Sequence, residues 1–151
     1  MKNIIPVNRP KINKLSNFEI TKALKDKWIS GDGPVVEKFE DKFKNLIGRN
    51  YAIAVSNGTA ALEIAISSLN LKKGSKIIVP NLTIVSCLNA IIRNNHKPVF
   101  VDVDKNDFNI CIKDLKKKIS KDVRAIIMVH TYGLASDVEE ILKLKKKYNF
   151  K

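Results

Sequence analysis

The most constraining feature of this chain is an apolar run that breaks at a polar turn and continues as an amphipathic helix, over residues 51–69. The β-branched residues at 53–55 predict a buried strand. The turn contains Gly58, which is free to adopt a positive φ. Apolar residues then recur at helical spacing from Thr59, and either Thr59 or Ser56 can cap the helix. Such a unit gathers free backbone N–H groups and the positive end of the helix dipole, an arrangement that favours a phosphate.

The turn at 56–59 matches neither of two well-known phosphate-binding loops. The Walker A spacing of glycines, lysine and Ser/Thr is absent, and Gly58 lacks the following glycines of the dinucleotide-binding fingerprint. The spacing alone therefore leaves two interpretations open: an ordinary connection between a strand and a helix, or a phosphate cradle whose ligand is unspecified.

Composition limits the class of protein. The chain has 151 residues, of which 44% are apolar and 28% charged, as expected of about one soluble globular domain. It has no apolar run long enough to span a membrane and no signal-peptide pattern over residues 1–7. Cys87 and Cys111 form no Cys-x-x-Cys pair. We therefore expect a cytoplasmic protein that does not act at a membrane.

The formal charge of +13 raises the question of a nucleic-acid partner. The lysines fall on the faces of predicted helices, arginine is scarce, and no helix-turn-helix, zinc-finger or RNA-recognition pattern is present. Solvated lysine faces are therefore the favoured interpretation. A basic α/β domain that binds nucleic acid is kept as the lowest-ranked alternative.

Strands and helices alternate along the chain. An extended segment at 6–10 precedes a helix at 16–28, with Ser16 as N-cap and Glu19 completing a capping box. A glycine-rich loop leads to a helix at 34–47 that Gly48 ends. Beyond residue 69 the predicted strands are 76–80, 98–104 and 124–130, and the predicted helices are 84–94, a short one around 115–119, and 138–147. Residues 148–151 look like the lead-in to another strand. This order, with strands apolar on both faces, predicts an α/β fold with a parallel sheet between two layers of helices.

Polar residues follow the predicted strands at their carboxyl ends, where open α/β sheets bind ligands. They lie at 56–59, 81–83, 102–104 and 130–132. A small-molecule site at this edge of the sheet is therefore predicted.

The sequence gives weaker support to two more specific kinds of site. The acidic stretch beginning at Asp102 starts like a calcium loop but has Asp107 at the sixth position and Lys113 at the twelfth, so it fails as an EF-hand. His130 follows a strand and is interpreted either as structural or as part of the site. The two histidines suggest neither a catalytic triad nor a metal centre.

Several strings occur together in an order known from one family: 28–34 (Trp-Ile-Ser-Gly-Asp-Gly-Pro), 39–40, 56–62 (Ser-Asn-Gly-Thr-Ala-Ala-Leu), 80–83 (Pro-Asn-Leu-Thr), 89–90, 98–104, 109–110 and 129–133 (Val-His-Thr-Tyr-Gly). In these strings the chain resembles the DegT/DnrJ/StrS aminotransferases, above all the perosamine-synthetase-like branch, which aminates keto groups on nucleotide-linked sugars. The resemblance begins near Ile5 and continues to the last residue. It implies a fold-type I enzyme that uses pyridoxal 5′-phosphate (PLP). Residues 1–34 would be an arm, a helix and a glycine-rich loop, and 35–151 part of the PLP-binding large domain.

The resemblance also implies roles for individual residues. The cofactor phosphate would lie at Gly58, with Thr59 and Ala60 donating hydrogen bonds to it. Ile84 stands where the family usually has an aromatic residue on the cofactor ring, so it offers an apolar face without π-stacking. The residues implied on the substrate side are Trp28, Ser30, Gly31, His130 and Tyr132.

No catalytic residue is carried over from the family. Its Schiff-base lysine, and the aspartate that pairs with the pyridinium nitrogen, would follow residue 151, and we expect the 151-residue chain alone to be inactive. The complete enzyme would take an amino group from glutamate to a keto-sugar nucleotide and act as a homodimer. A non-catalytic binding or assembly module of the same fold is the alternative. A sheet that ends here would also leave a strand edge uncovered.

Overall fold

The computed structural model describes residues 5–6 and 8–151 and divides into two compact units, Met1–Ala54 and Val55–Lys151. The sequence interpretations of residues 1–4 and 7, which concern a signal peptide and the extended segment at 6–10, lie outside the described residues. The division falls twenty residues beyond the boundary proposed at 34/35, and that functional boundary stays a prediction.

The first unit contains helices α1 (Lys14–Lys25) and α2 (Pro34–Ile47). The N-cap of α1 is Asn13, whose side chain accepts a hydrogen bond from the Ser16 N–H at 2.8 Å, so the prediction that Ser16 caps this helix was wrong. Asn13 has the extended backbone that a cap needs. Helix α2 is confirmed at both ends. Pro34 occupies its first turn, and Gly48 terminates it in the left-handed conformation at φ 64°.

The second unit is built on a three-stranded parallel sheet with the strand order β2-β1-β3. The strands are β1 (Lys76–Pro80), β2 (Lys97–Val101) and β3 (Val123–Ile126). Ile78 in the central strand pairs with Val99 on one side and Ile126 on the other. The predicted parallel sheet is thus confirmed, and β1 has the predicted bounds.

Helices cover both faces of this sheet. They are α3 (Gly58–Ser68), α4 (Val85–Arg93), α5 (Ile112–Lys118) and α6 (Val138–Tyr148). Successive residues of β1 point to opposite faces: Ile77 and Val79 pack with α3 and α4, and Ile78 packs with α5 and α6. All three side chains are fully buried. The three predicted layers are therefore present, with one apolar cluster on each side of the sheet.

Three of the predicted strands differ from the structure. Strand β3 ends at Ile126 rather than at 130, because Pro80 at the end of β1 has no N–H to continue the ladder. Residues 51–55 are irregular and Ile53 is 81% exposed, because no strand of the described chain pairs with this segment and an apolar run needs a partner to become a strand. Strand β2 ends at Val101 rather than at 104, because the N–H of Asp102 donates to the Asp114 carboxylate at 2.8 Å.

The last residues begin to pair with β3. The Lys151 N–H donates to the Arg124 carbonyl at 2.9 Å, and the Ile126 N–H donates to the Lys151 carbonyl at 3.1 Å. This alternation is the hydrogen-bond pattern of a parallel ladder. Phe150 is buried in the core beside it. The interpretation of 148–151 as a strand lead-in is consistent with this pairing.

One surface ion network joins α5 to α6. The Glu140 carboxylate accepts hydrogen bonds from Lys116 at 2.8 Å and Lys143 at 2.7 Å. These two hydrogen bonds and the two positive charges lower the pKa of Glu140 from 4.5 to about 2.

Candidate functional site: the carboxyl edge of the sheet

The start of α3 is organised by Asn57. Its backbone is extended, and its side-chain oxygen accepts a hydrogen bond from the Ala60 N–H at 2.9 Å, so the prediction of Ser56 or Thr59 as N-cap was wrong. Gly58 is the first helical residue and is absent from the positive-φ glycines, so its predicted left-handed freedom is not used here. A Cβ at Gly58 would meet nothing within 4 Å. The glycine therefore leaves the helix start open to an approaching group.

The start of α4 lies beside the start of α3. Thr59 Oγ1 and Ser86 Oγ share a hydrogen bond of 2.8 Å that joins the first turns of the two helices. Within the described residues, the N–H groups of Gly58 and Thr59 have no hydrogen-bond acceptor, while that of Ala60 is held by Asn57. We call the first turns of α3 and α4, joined by the Thr59–Ser86 hydrogen bond, the helix-start cradle. It presents donors and the positive ends of two helix dipoles, which suit an anion.

A cavity of about 370 Å³ lies at the same edge of the sheet, lined by residues 82–84 and 129–132. We call it the His130 pocket. Ile84 is 67% exposed and contributes an apolar wall, while His130 and Thr131 contribute polar groups. Tyr132 also lines the pocket; it is 91% exposed and has a positive φ of 52°. The pocket therefore combines an apolar lining with a few hydrogen-bonding groups, as small-molecule sites do.

Buried polar groups hold the loop that carries His130. Ser136 is 4% exposed; its N–H donates to His130 Nδ1 at 3.0 Å and its hydroxyl donates to the Val129 carbonyl at 2.8 Å. Asn109 is 3% exposed; its Oδ1 accepts from the Thr131 N–H at 3.0 Å. These contacts fix the loop on both sides of the imidazole.

Sequence reasoning did not assign roles to Ser86, Asn109 or Ser136. Their partners lie 27, 22 and six residues away along the chain. Asn109 belongs to the string at 109–110 that supports the family resemblance, and this was the only sequence signal that could have pointed to it. The other two carried none, because serine is common in loops and first turns for many reasons.

The residues proposed for the site fall in both units. Gly58, Thr59, Ala60, Ile84, His130 and Tyr132 belong to the second unit, at the carboxyl ends of its strands and the starts of its helices. Trp28, Ser30 and Gly31 belong to the first unit. There the Trp28 ring lies against Gly33, where an added Cβ would be 2.8 Å from Trp28 Cε3. The binding roles of all nine residues stay predictions.

No helix in the described part of the chain is long and apolar enough to cross a membrane.

Comparison with known proteins identifies the family. Residues 10–151 match the model of the DegT/DnrJ/EryC1/StrS aminotransferase family. The chain belongs to this family. It is similar to GDP-perosamine synthase of Escherichia coli O157:H7, with 37% identity over 145 residues that cover 96% of this chain and 40% of the synthase. The chain thus spans about two fifths of the length of the curated relatives it matches.

Solved structures agree with this family assignment. The crystal structure of the H188N mutant of GDP-4-keto-6-deoxymannose-3-dehydratase, with bound GDP-perosamine, superposes with a TM-score of 0.88 at 28% identity, covering 96% of this chain and 39% of the dehydratase. NtdA from Bacillus subtilis, with the bound cofactor pyridoxamine phosphate (PMP), gives a TM-score of 0.84 at 27% identity, covering 100% of this chain and 37% of NtdA. The predicted family and fold class are therefore confirmed.

Proposed function

We propose that this chain is the N-terminal part of a PLP-dependent aminotransferase that acts on a nucleotide-linked keto-sugar, in amino-sugar biosynthesis for a surface polysaccharide or a related glycan. The observation that carries the proposal is the helix-start cradle, which occurs in a chain 37% identical to a GDP-perosamine synthase. A cytoplasmic location, glutamate as amino donor and a homodimer in the full-length protein are further parts of the same proposal.

The residues of the cradle fit the phosphate of this cofactor. The free N–H groups of Gly58 and Thr59 are donors for phosphate oxygens, and the open space over Gly58 admits the group. The Thr59 hydroxyl is a third donor, and it can accept from Ser86 while it donates to the anion, which strengthens both hydrogen bonds. Ile84 offers an apolar surface for a ring in the adjoining His130 pocket. The cofactor, when bound, supplies the electron-sink chemistry of amino transfer.

The proposal is tested first by binding. The 151-residue chain is titrated with PMP, which lacks the aldehyde that reacts with surface lysines, and binding is followed by calorimetry and by the phosphorus NMR signal. We expect saturable binding that weakens about three- to tenfold in Ser86→Ala, since one hydrogen bond of the cradle is lost. Ser67→Ala, an exposed serine in the same helix α3, is the matched control and should bind as the unchanged chain does. Binding that is absent, or equal in the two variants, would contradict the proposed cradle.

The alternative is a binding or assembly module of the same fold without catalysis. The aminotransferase and the module hypotheses both predict that the 151-residue chain alone is inactive. Turnover by a full-length version is therefore the measurement that discriminates between them. PMP-dependent amination of a keto-sugar nucleotide would support the aminotransferase. Cofactor binding without any turnover would support the module.

The reaction type needs the same full-length test. One solved relative has the name of a dehydratase, and the curated relative has the name of a synthase. Proteins with different names are therefore similar to this chain over the same region. The higher identity to the synthase is the reason that we propose amination.

A further inference from the structure

The imidazole of His130 is held in a way that decides which nitrogen can meet a ligand. The backbone N–H of Ser136 donates to His130 Nδ1 at 3.0 Å. A backbone amide can only donate, so Nδ1 must be the acceptor in this contact. In a neutral imidazole the proton then resides on Nε2.

Ser136 is well placed to enforce this state. It is 4% exposed, and its hydroxyl donates to the Val129 carbonyl at 2.8 Å. Its two donors therefore bond to His130 and to the residue before it. On the other side, Asn109 accepts from the N–H of Thr131. A side chain whose support is fixed in this way keeps one orientation before any ligand arrives.

We propose that Ser136 is a positioning residue that fixes His130 as the Nε2–H tautomer, so that the His130 pocket offers a hydrogen-bond donor at this position rather than a base. The pocket then favours a ligand that carries an acceptor oxygen on the edge of an apolar body, because Leu82, Ile84 and Val129 supply the aliphatic part of its lining. The tautomer is a property of this chain, and only the choice of ligand rests on the proposed function. A cofactor ring oxygen and a sugar keto oxygen both have the required chemistry.

The tautomer is measured by long-range proton–nitrogen NMR correlation on the ¹⁵N-labelled chain at a pH of about 8.5, above the ordinary titration range of imidazole. The sequence contains two histidines, so His130→Gln assigns the signals by their loss. We expect the shift of an unprotonated nitrogen for Nδ1 and of a protonated nitrogen for Nε2. A proton on Nδ1, or an equal mixture of the tautomers, would overturn the inference.

Two variants separate positioning from general stability. Ser136→Pro removes the N–H that donates to His130, and we expect both tautomers to become populated. Ser136→Ala keeps this N–H and removes only the hydroxyl, so the tautomer should persist. An unchanged tautomer in a folded Ser136→Pro variant would show that Ser136 does not set it. If that variant does not fold, the measurement on the unchanged chain decides alone.

The donor role is tested with PMP and with a keto-sugar nucleotide, GDP-4-keto-6-deoxymannose, in separate titrations. Hydrogen bonding to a ligand should move the His130 Nε2 signal and leave the buried His96 signal in place. A shift with PMP assigns the acceptor to the cofactor side, and a shift with the keto-sugar nucleotide assigns it to the substrate side. If neither probe moves Nε2, the donor role is refuted. If PMP binding is detected by phosphorus NMR and neither probe moves Nε2, only this inference is refuted and the proposed function stands.

Discussion

Replacing Asn109 by alanine gives the sharpest test of how the site loop is held. The Asn109 side chain accepts from the Thr131 N–H at 3.0 Å, donates to the Leu134 carbonyl at 3.3 Å and donates to the Asp107 carboxylate at 3.3 Å, and the residue is 3% exposed. Alanine removes all three contacts and leaves a small void. The loss in free energy of unfolding then depends mainly on the two backbone groups that lose their hydrogen-bond partner.

The two abandoned groups differ in their access to water. Leu134 is 53% exposed, so water can replace the amide as donor to its carbonyl at little cost. Thr131 is half-buried, and its N–H loses an acceptor that water reaches less easily. An unsatisfied donor of this kind costs about 1–3 kcal/mol. We therefore expect Asn109→Ala to lower the free energy of unfolding by about 2 kcal/mol.

Urea unfolding followed by circular dichroism measures this loss, and amide hydrogen exchange at Thr131 shows where it arises. Asn106→Ala is the matched control, because Asn106 lies in an exposed turn nearby and bonds only to Asp104 among the described side chains. It should change stability by less than about 0.5 kcal/mol. If Asn109→Ala costs as little as the control and the exchange of Thr131 is unchanged, Asn109 does not hold the loop.

Three further predictions concern other parts of the chain. Gly33→Ala should displace the Trp28 ring and change the fluorescence of this single tryptophan, whereas Gly31→Ala, with open space at its Cβ, should not; equal spectra would refute the contact. Because the folded pKa of Glu140 is lowered to about 2, its ion pairs stabilise the chain above a pH of about 4.5, and this contribution is lost as the pH falls towards 2. The urea midpoints of the unchanged chain and Glu140→Gln should therefore differ at pH 6 and converge near pH 2. Leu115→Ala, at a fully buried position in the core, should lower the free energy of unfolding by about 2–5 kcal/mol, and a smaller loss would mean that the core closes around the void.

Elements with local boundary signals were predictable from the sequence. Helix α2 has a proline in its first turn and a glycine at its end, and both lie where the structure has them. Strand β1 is an apolar run between a turn and Pro80, and its bounds were predicted to the residue. In each case the residues that set the boundary are neighbours of the element itself.

Features that need a distant partner were not predictable. The run at 53–55 has a strand-like composition, yet it has no partner strand in the described chain and remains irregular. The predictions of the helix caps were wrong for a related reason. Asn13 and Asn57 cap α1 and α3 because their backbones are extended, and the sequence offers several polar residues near each start without stating their dihedral angles.

The candidate site combines both kinds of feature. Its location follows from the parallel order of the strands, because the carboxyl ends of parallel strands and the starts of the following helices meet at one edge. Its detailed chemistry depends on contacts between loops, such as Thr59 with Ser86 and His130 with Ser136. Sequence alone can therefore indicate where a ligand binds in such a fold. The tautomer that we propose for His130 depends on one backbone N–H, which lies six residues further along the chain.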